Sequence, residues 1–414
     1  MSLPSDFMTE FLPKLRQALD VFPSPDEEQP GLLLRDPFRY TEDILIIPPV
    51  FVQALNLLDG QHTEADAIER LTQVIGRPFP KHPLHDFISA LQESGFLETS
   101  EFGAMRSRKH ADFAAEPIRI AAHAGAAYPE DTYELKSTLD NYLLTIVPPN
   151  PAPIVGIAAP HVSPEGGWGC YAAAYNRLRG MGENLFGKTI VVLGTSHYGE
   201  PDKFGLTRKP FRTPYGTVQT DTELVDWLEQ RAGDSINIED YCHSFEHSIE
   251  FQVMFLQHML GNRIKILPIL CGAFLQSFQT GKPPEKTENV HRFFDTLGEM
   301  AEVHKDKLFW VLGIDLAHIG ERYGDPFEAQ VGHDEMLEVK EKDEERLQHV
   351  CDGNSGALLD LVLPDFDPLK WCGFTPVYTF MQAMKGVRGE VLKYDQWNID
   401  PNSVVSFTAM EFRK

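Results

Sequence analysis

Five short apolar runs constrain this chain more than any other feature: IRIAA (118–122), PIVGIAA (153–159), KTIVVLG (188–194), IKILPIL (264–270) and KLFWVLG (307–313). Arg119 and the lysines apart, each is apolar at successive positions rather than alternate ones, the pattern of a strand covered on both faces. Stretches with helical spacing lie between some of them: GCYAAAYNRLRG (169–180), DTELVDWLEQR (221–231) and IEFQVMFLQHML (249–260). Buried strands joined by crossover helices predict an α/β fold with a largely parallel sheet. At the C-terminus, EVLKYDQ (390–396) and SVVSFTAMEF (403–412) read as a closing pair of strands.

The chain has 414 residues, more than one core usually organises, so two domains are expected. Residues 1–32 read as a short amphipathic segment followed by a linker, VFPSPDEEQPG, rich in proline and acid. Residues 33–100 read as a small α+β module. RDPFRY and ILII suggest short strands, PPVFVQALNLL a helix begun by Pro48 and Pro49, and Asp59-Gly60 its end. Thr63 with Asp66 makes a capping box for a second helix, LHDFISALQES is a third with Gly95 as its C-cap, and FLETS is a closing strand. Three helices with a strand ribbon are winged-helix-like. Their order and the Asp-Gly-x-x-Thr turn (59–63) resemble PqqD-like peptide-recognition domains, which implies a peptide partner. Residues 101–116 read as a second connector, and the α/β region runs from 117 to 414.

Charge narrows the choice of partners. Lys and Arg total 37 against 61 Asp and Glu, a formal charge of −24. A nucleic-acid binder needs a basic stripe to displace phosphate counterions, and the expected third helix offers no Arg or Lys, so nucleic acid is not an expected partner. No apolar run approaches ~18 residues, so no membrane span is expected. The start, MSLPSDFMTEFLPKLRQ, lacks the basic flank and apolar core of a signal peptide. The five cysteines, 170, 242, 271, 351 and 372, are an odd and scattered set. These features point to reduced thiols and a cytoplasmic location.

The chemistry-bearing residues follow the strands. PIVGIAA runs into Pro160-His161, KTIVVLG into Thr195-Ser196-His197, and KLFWVLG into Ile314-Asp315-Leu316-Ala317-His318. Open α/β sheets collect ligands at the carboxyl ends of their strands. One histidine after a strand is commonplace and usually a packing or surface group. Several converging on one edge suggest a metal, because neutral imidazole is the commonest protein ligand. Glu246 and His247 precede an apolar helical stretch and so fall near a helix N-terminus, where backbone donors favour a carboxylate.

The segments APH (159–161), LGTSH (193–197), RTPYGTVQTD (212–221), EHSIE (246–250), ILPILCG (266–272), IDLAH (314–318) and CG (372–373) resemble, in this order, the Memo family. That family includes the AmmeMemoRadiSam system protein B of prokaryotes, and AHAGAAYPEDTYELKSTLDNYL (122–143) looks like its opening strand-loop-helix. The resemblance implies a fold similar to class III extradiol dioxygenases, with His161, His197 and Cys372 at the metal positions. It implies Asp315, His318, Glu246 and His247 as catalytic neighbours, His318 as acid/base. The dioxygenases carry a carboxylate where this chain has Cys372, so the metal stays open between iron, copper and zinc. The implied function is a metal-dependent oxidoreductase, dioxygenase-like, acting on a small polar or aromatic substrate. The alternative is a non-enzymatic metal-binding adaptor that captures a peptide through its N-terminal domain. AMMECR-type and radical SAM proteins are the implied partners. Two loops depart from the family pattern: VSPEGGWGC after APH, which places Cys170 near the site, and the glycine-free C-terminal hairpin.

Overall fold

The computed structural model describes residues 11–26, 28–144, 153–179 and 181–414, and the chain divides into two compact units, Met1–Ala115 and Glu116–Lys414. Among the described residues no helix is long and apolar enough to cross a membrane.

The first unit opens with an antiparallel sheet of three strands in the order β1 (Asp20–Pro23), β2 (Leu32–Arg35), β3 (Ile44–Ile47). Four helices follow, Pro49–Leu55, Glu64–Ile75, Lys81–Glu93 and Ser100–Ala115. Thr63 and Asp66 form a reciprocal capping box, each side chain accepting the other's backbone N–H. Leu34, Leu71, Leu91, Phe96 and Leu97, all fully buried, make the core with Leu12 and Ile47. Arg16 is buried at its margin, donating to the Gly95 carbonyl at 2.9 Å and to Asp36 at 2.8 Å.

Several expectations for this unit need correction. The stretch read as a linker contains most of β1, and the amphipathic segment before it, of which residues 1–10 lie outside the described residues, contributes Leu12 to the core. The expected connector 101–116 is almost all helix, burying Phe102 and Phe113. RDPFRY leaves the sheet after Arg35, and the helix begun by Pro49 ends at Leu55, before Asp59-Gly60. FLETS forms one bridge, Leu15 with Leu97, instead of a strand. The third helix starts at Lys81, whose ammonium reaches Glu64 at 3.4 Å.

In the second unit β5 (Gly156–Ala159), β6 (Thr189–Thr195), β11 (Lys265–Cys271) and β12 (Leu308–Gly313) form a parallel core in the order β5-β12-β6-β11. β9 (Gly216–Thr220) extends it in parallel, followed by β8 (Phe211–Thr213) and β4 (Arg119–Ile120). β7 (Phe204–Leu206) pairs with β10 (Ile236–Ile238) and runs antiparallel to β11. On the other side β15 (Ser403–Arg413) runs antiparallel to β5 and carries β13 (Asp315–Gly320) and β14 (Arg388–Asp400). The fold is therefore mixed α/β around one large sheet. Burying each Leu, Ile or Val of β6 and β12 contributes about 1.5–3 kcal/mol before entropy is counted.

The helix His247–Leu260 lies directly on β6 and β12. Two glycines make that approach feasible. A Cβ at Gly313 would meet the Ser248 carbonyl oxygen at 2.2 Å, and one at Gly194 would meet the Ser248 hydroxyl at 2.5 Å. The helix start is thus seated against the strand ends that carry His197 and Asp315. Gly313→Ala should cost about 1–3 kcal/mol through this overlap with backbone and lower the melting temperature. Gly103→Ala, in a helix with open space around it, should be neutral or stabilising by about 0.5–1 kcal/mol. Equal melting shifts for the two variants would contradict the packing account.

Candidate metal centre

β5, β6 and β12 are parallel, so their carboxyl ends share one edge, and the chain leaving each one supplies His161, His197 and Asp315 respectively. His161 is buried, 1% exposed. Its backbone N–H donates to Asp315 Oδ1 at 2.9 Å and its Nδ1 donates to the Gly313 carbonyl at 3.0 Å. A carbonyl only accepts, so Nδ1 carries a proton and Nε2 is the atom turned inward. That Nε2 lies 3.1 Å from Cys372 Sγ.

Glu246 fixes the next two histidines. It is the N-cap of the helix His247–Leu260, accepting from the backbone N–H of His247 at 2.9 Å and of Ser248 at 3.2 Å. The same carboxylate accepts from the His197 backbone N–H at 3.0 Å and from His197 Nδ1 at 3.0 Å. It also lies 3.2 Å from His247 Nδ1. One buried anion therefore starts a helix and holds two imidazoles. Ring centroids are 5.0 Å apart for His161 and His197, 5.2 Å for His161 and His247, and 4.9 Å for His197 and His247, the last pair stacked. One ring nitrogen from each of the three lies within 4.8 Å of the others. His161, Asp315 and Glu246 are shut away from solvent, whereas the side chains of His197 and His247 are 24% and 32% exposed and leave one side open.

Cys372 completes the group. Thr195 Oγ1 donates to its carbonyl at 2.8 Å, and the N–H of Gly373 donates to the Asp315 carbonyl at 3.0 Å. The preceding segment holds Asp365, Phe366, Asp367 and Lys370 at φ between 52° and 58°, a left-handed region that costs non-glycine residues about 1–2 kcal/mol each. Asp315 and His318 are three apart on β13, which in a regular strand would send them to opposite faces. A bulge between them, seen where Asp315 pairs with Phe407 and His318 with Val405, returns both to one side. His318 Nδ1 donates to the Leu316 carbonyl at 3.0 Å, and its other side interacts with Cys372.

The electrostatics follow from burial and opposite charge. Burial alone would raise the Cys372 thiol, but His161, His318 and His197 hold it well below its ordinary value. Burial opposes protonation of His161, yet Asp315 and Cys372 pull it up to about 9. His197 rises well above its ordinary value against burial because Glu246 and Cys372 favour its cation. His247 moves the other way, down to about 4, burial outweighing its contact with Glu246. Burial raises the Asp315 carboxyl.

The structure thus brings together all seven residues singled out from the sequence: His161, His197, Cys372, Asp315, His318, Glu246 and His247. Cys170 stands apart, buried with its sulfur 3.8 Å from the Lys393 carbonyl and its thiol pushed up by burial. The VSPEGGWGC stretch is the beginning of a helix, Pro164–Tyr175, not a loop.

A supporting network was not anticipated. Arg119, buried in β4, donates to the carbonyls of His243 at 2.7 Å and Glu246 at 2.9 Å and pairs with Glu250. Glu250 also accepts from Tyr128 at 2.6 Å and from the N–H groups of Ala122 and His123 at 2.8 and 3.0 Å. The His123 ring stands edge-on to His247. A lone arginine inside the apolar run IRIAA was the available signal, since a buried guanidinium requires partners.

Glu246→Gln should lower the pKa of His197, because the anion that favours its cation is gone while burial remains. Histidine NMR titration of the metal-free protein measures this; an unchanged His197 titration would contradict the pairing.

The family described as "Memo-like protein" matches residues 119–411. A MEMO1 family protein of Aquifex aeolicus is 26% identical over 386 residues, covering 92% of this chain and 95% of its own length. Another, from Methanococcoides burtonii, is 27% identical over 288 residues, covering 67% of this chain and 92% of its own. The Methanocaldococcus jannaschii MEMO1 family protein MJ0403 is 27% identical over 286 residues, 67% of this chain and 90% of its own. With the match spanning most of the second unit, strand-end histidines and Cys372 turn included, this chain belongs to the Memo-like family.

Proposed function

We propose that the second unit binds a divalent or redox metal through His161, His197 and Cys372 and acts as a metal-dependent oxidoreductase, dioxygenase-like in character, on a small polar or aromatic substrate. The observation that carries this reading is the direction of the donors. The Nδ1 atoms of His161 and His197 are engaged by Gly313 and Glu246, which leaves Nε2 of each for a ligand, with the Cys372 sulfur beside that of His161. Two imidazoles and a thiolate suit copper, zinc or iron, and the protons shared among them are those a cation displaces on binding.

When bound, the metal supplies Lewis-acid or electron-transfer chemistry. The chain's own residues do the rest. Glu246 fixes the ring of His197 and Asp315 the backbone of His161. His318, anchored at Nδ1, is placed to hold or release a proton at Nε2. Tyr198, 38% exposed and with its ring 6.3 Å from that of His197, offers an aromatic face at the open side. All five cysteines are free thiols, which fits the reducing conditions of the cytoplasm, where we place the protein.

A second ligand set has support of its own. The clustering of His161, His197 and His247 makes His247 a rival to Cys372 for the third position. Titration calorimetry with zinc and copper(I) separates them. Cys372→Ala should stay folded and lose metal affinity by about 100-fold, with His247→Gln losing about tenfold at most. The reverse order would make His247 the third ligand.

We assign the first unit to peptide recognition of the PqqD-like kind, and AMMECR-type and radical SAM proteins as partners of the whole. The Aquifex relative supports a coupled role, since its match covers 92% of this chain and so includes most of that unit.

A further inference from the structure

The Cys372 sulfur is carried by a turn of unusual backbone. Four non-glycine residues within six positions, Asp365, Phe366, Asp367 and Lys370, are left-handed, and Trp371 and Cys372 follow at once. Such a segment persists only where its surroundings over-determine it. Lys370 pairs with Asp325 and Phe366 stacks on Phe278, and two further supports come from one helix, Asp334–Cys351.

Arg346 on that helix pairs with Asp367 at 2.8 Å, donates to the Leu361 carbonyl at 2.8 Å and lies over the Trp371 ring at 5.3 Å. Asp367 in turn accepts from the N–H groups of Leu369 at 3.1 Å and Trp371 at 2.7 Å. Three residues earlier on the same helix face, the fully buried Asp343 accepts from Trp371 Nε1 at 2.6 Å, Tyr394 at 2.8 Å and Ser406 at 2.6 Å. Ser406 accepts from the N–H of Ala317, inside the bulge that aligns Asp315 with His318. A carboxylate buried without a salt-bridge partner is costly unless its hydrogen bonds are complete, and three strong donors meet that need. Neither Asp343 nor Arg346 belongs to the cluster around His161, so the seven site residues leave both unexplained.

We infer that Asp343 and Arg346 are positioning residues for the Cys372 sulfur, acting together through Trp371 and the left-handed turn. Asp343 spans the thiol turn through Trp371 and the His318 strand through Ser406, so it fixes the distance between sulfur and imidazole. The inference rests on the reading that Cys372 binds metal.

The test uses the full chain loaded with cobalt(II), whose thiolate charge-transfer absorption reports the sulfur and whose stoichiometry reports the histidines. Asp343→Asn and Trp371→Phe are compared with Cys372→Ala. Trp371→Phe keeps an aromatic side chain and deletes the Nε1 donor together with part of the indole; where it folds, it decides the matter if Asp343→Asn does not. Expected is a weakened thiolate band and an affinity loss of about 10-fold, with bound cobalt per chain retained at saturation. In the metal-free protein, alkylation of Cys372, followed by peptide mass spectrometry, should change rate in the same variants. A full thiolate band and unchanged alkylation in the folded variants would overturn the inference. If Cys372→Ala itself keeps the band, the ligand reading fails first and this inference with it.

Discussion

The Glu246 carboxylate is fully enclosed, and an enclosed anion must find its compensation within the protein. It finds backbone N–H groups from His247 and Ser248, the N–H and ring of His197, and the neighbouring ring of His247. That demand for partners ties the start of the helix His247–Leu260 to the end of β6 and orients two imidazoles. Removing the carboxylate would leave an uncapped helix, an unanchored ring and a gap between them at once. The tight seat of the helix on Gly194 and Gly313 is what brings these groups within hydrogen-bonding distance.

Around this anchor the charges are arranged to oppose burial. Four imidazoles, a thiol and the carboxyl groups of Glu246 and Asp315 share a small volume, and burial alone would neutralise all of them. Instead the thiol is held low while His161 and His197 are held high, each by the opposite charge of the others. Strongly shifted groups of this kind cluster at functional sites. The outer supports, Arg119 with Glu250 on one side and Asp343 with Arg346 on the other, approach it from different elements of the fold.

Much of this was legible in the sequence, for identifiable reasons. KTIVVLG and KLFWVLG are short, rich in Val, Leu and aromatic residues and apolar at consecutive positions, as strands covered on both faces are; His161 and His197, each two residues beyond its strand, then fall at the carboxyl edge of the sheet. What was hidden depended on long-range pairing. Asp20–Pro23 sits in a stretch whose proline and acid read as a linker, yet it pairs with Leu32–Arg35. The helix Ser100–Ala115 buries only Phe102 and Phe113, too few apolar residues for a clear period. The bulge in β13 leaves no local trace, so the shared direction of Asp315 and His318 came from the family resemblance and the reason for it only from the structure. Trp371 beside Cys372 gave no hint that Asp343, 28 residues earlier, receives its indole N–H.

We propose that His161, His197 and Cys372 form one metal site. X-ray absorption spectroscopy of anaerobically purified protein, with elemental analysis of the same sample, tests it most directly. Expected is one bound metal per chain whose shell contains imidazole nitrogens and a single sulfur scatterer. A metal shell of nitrogen and oxygen without sulfur would contradict it.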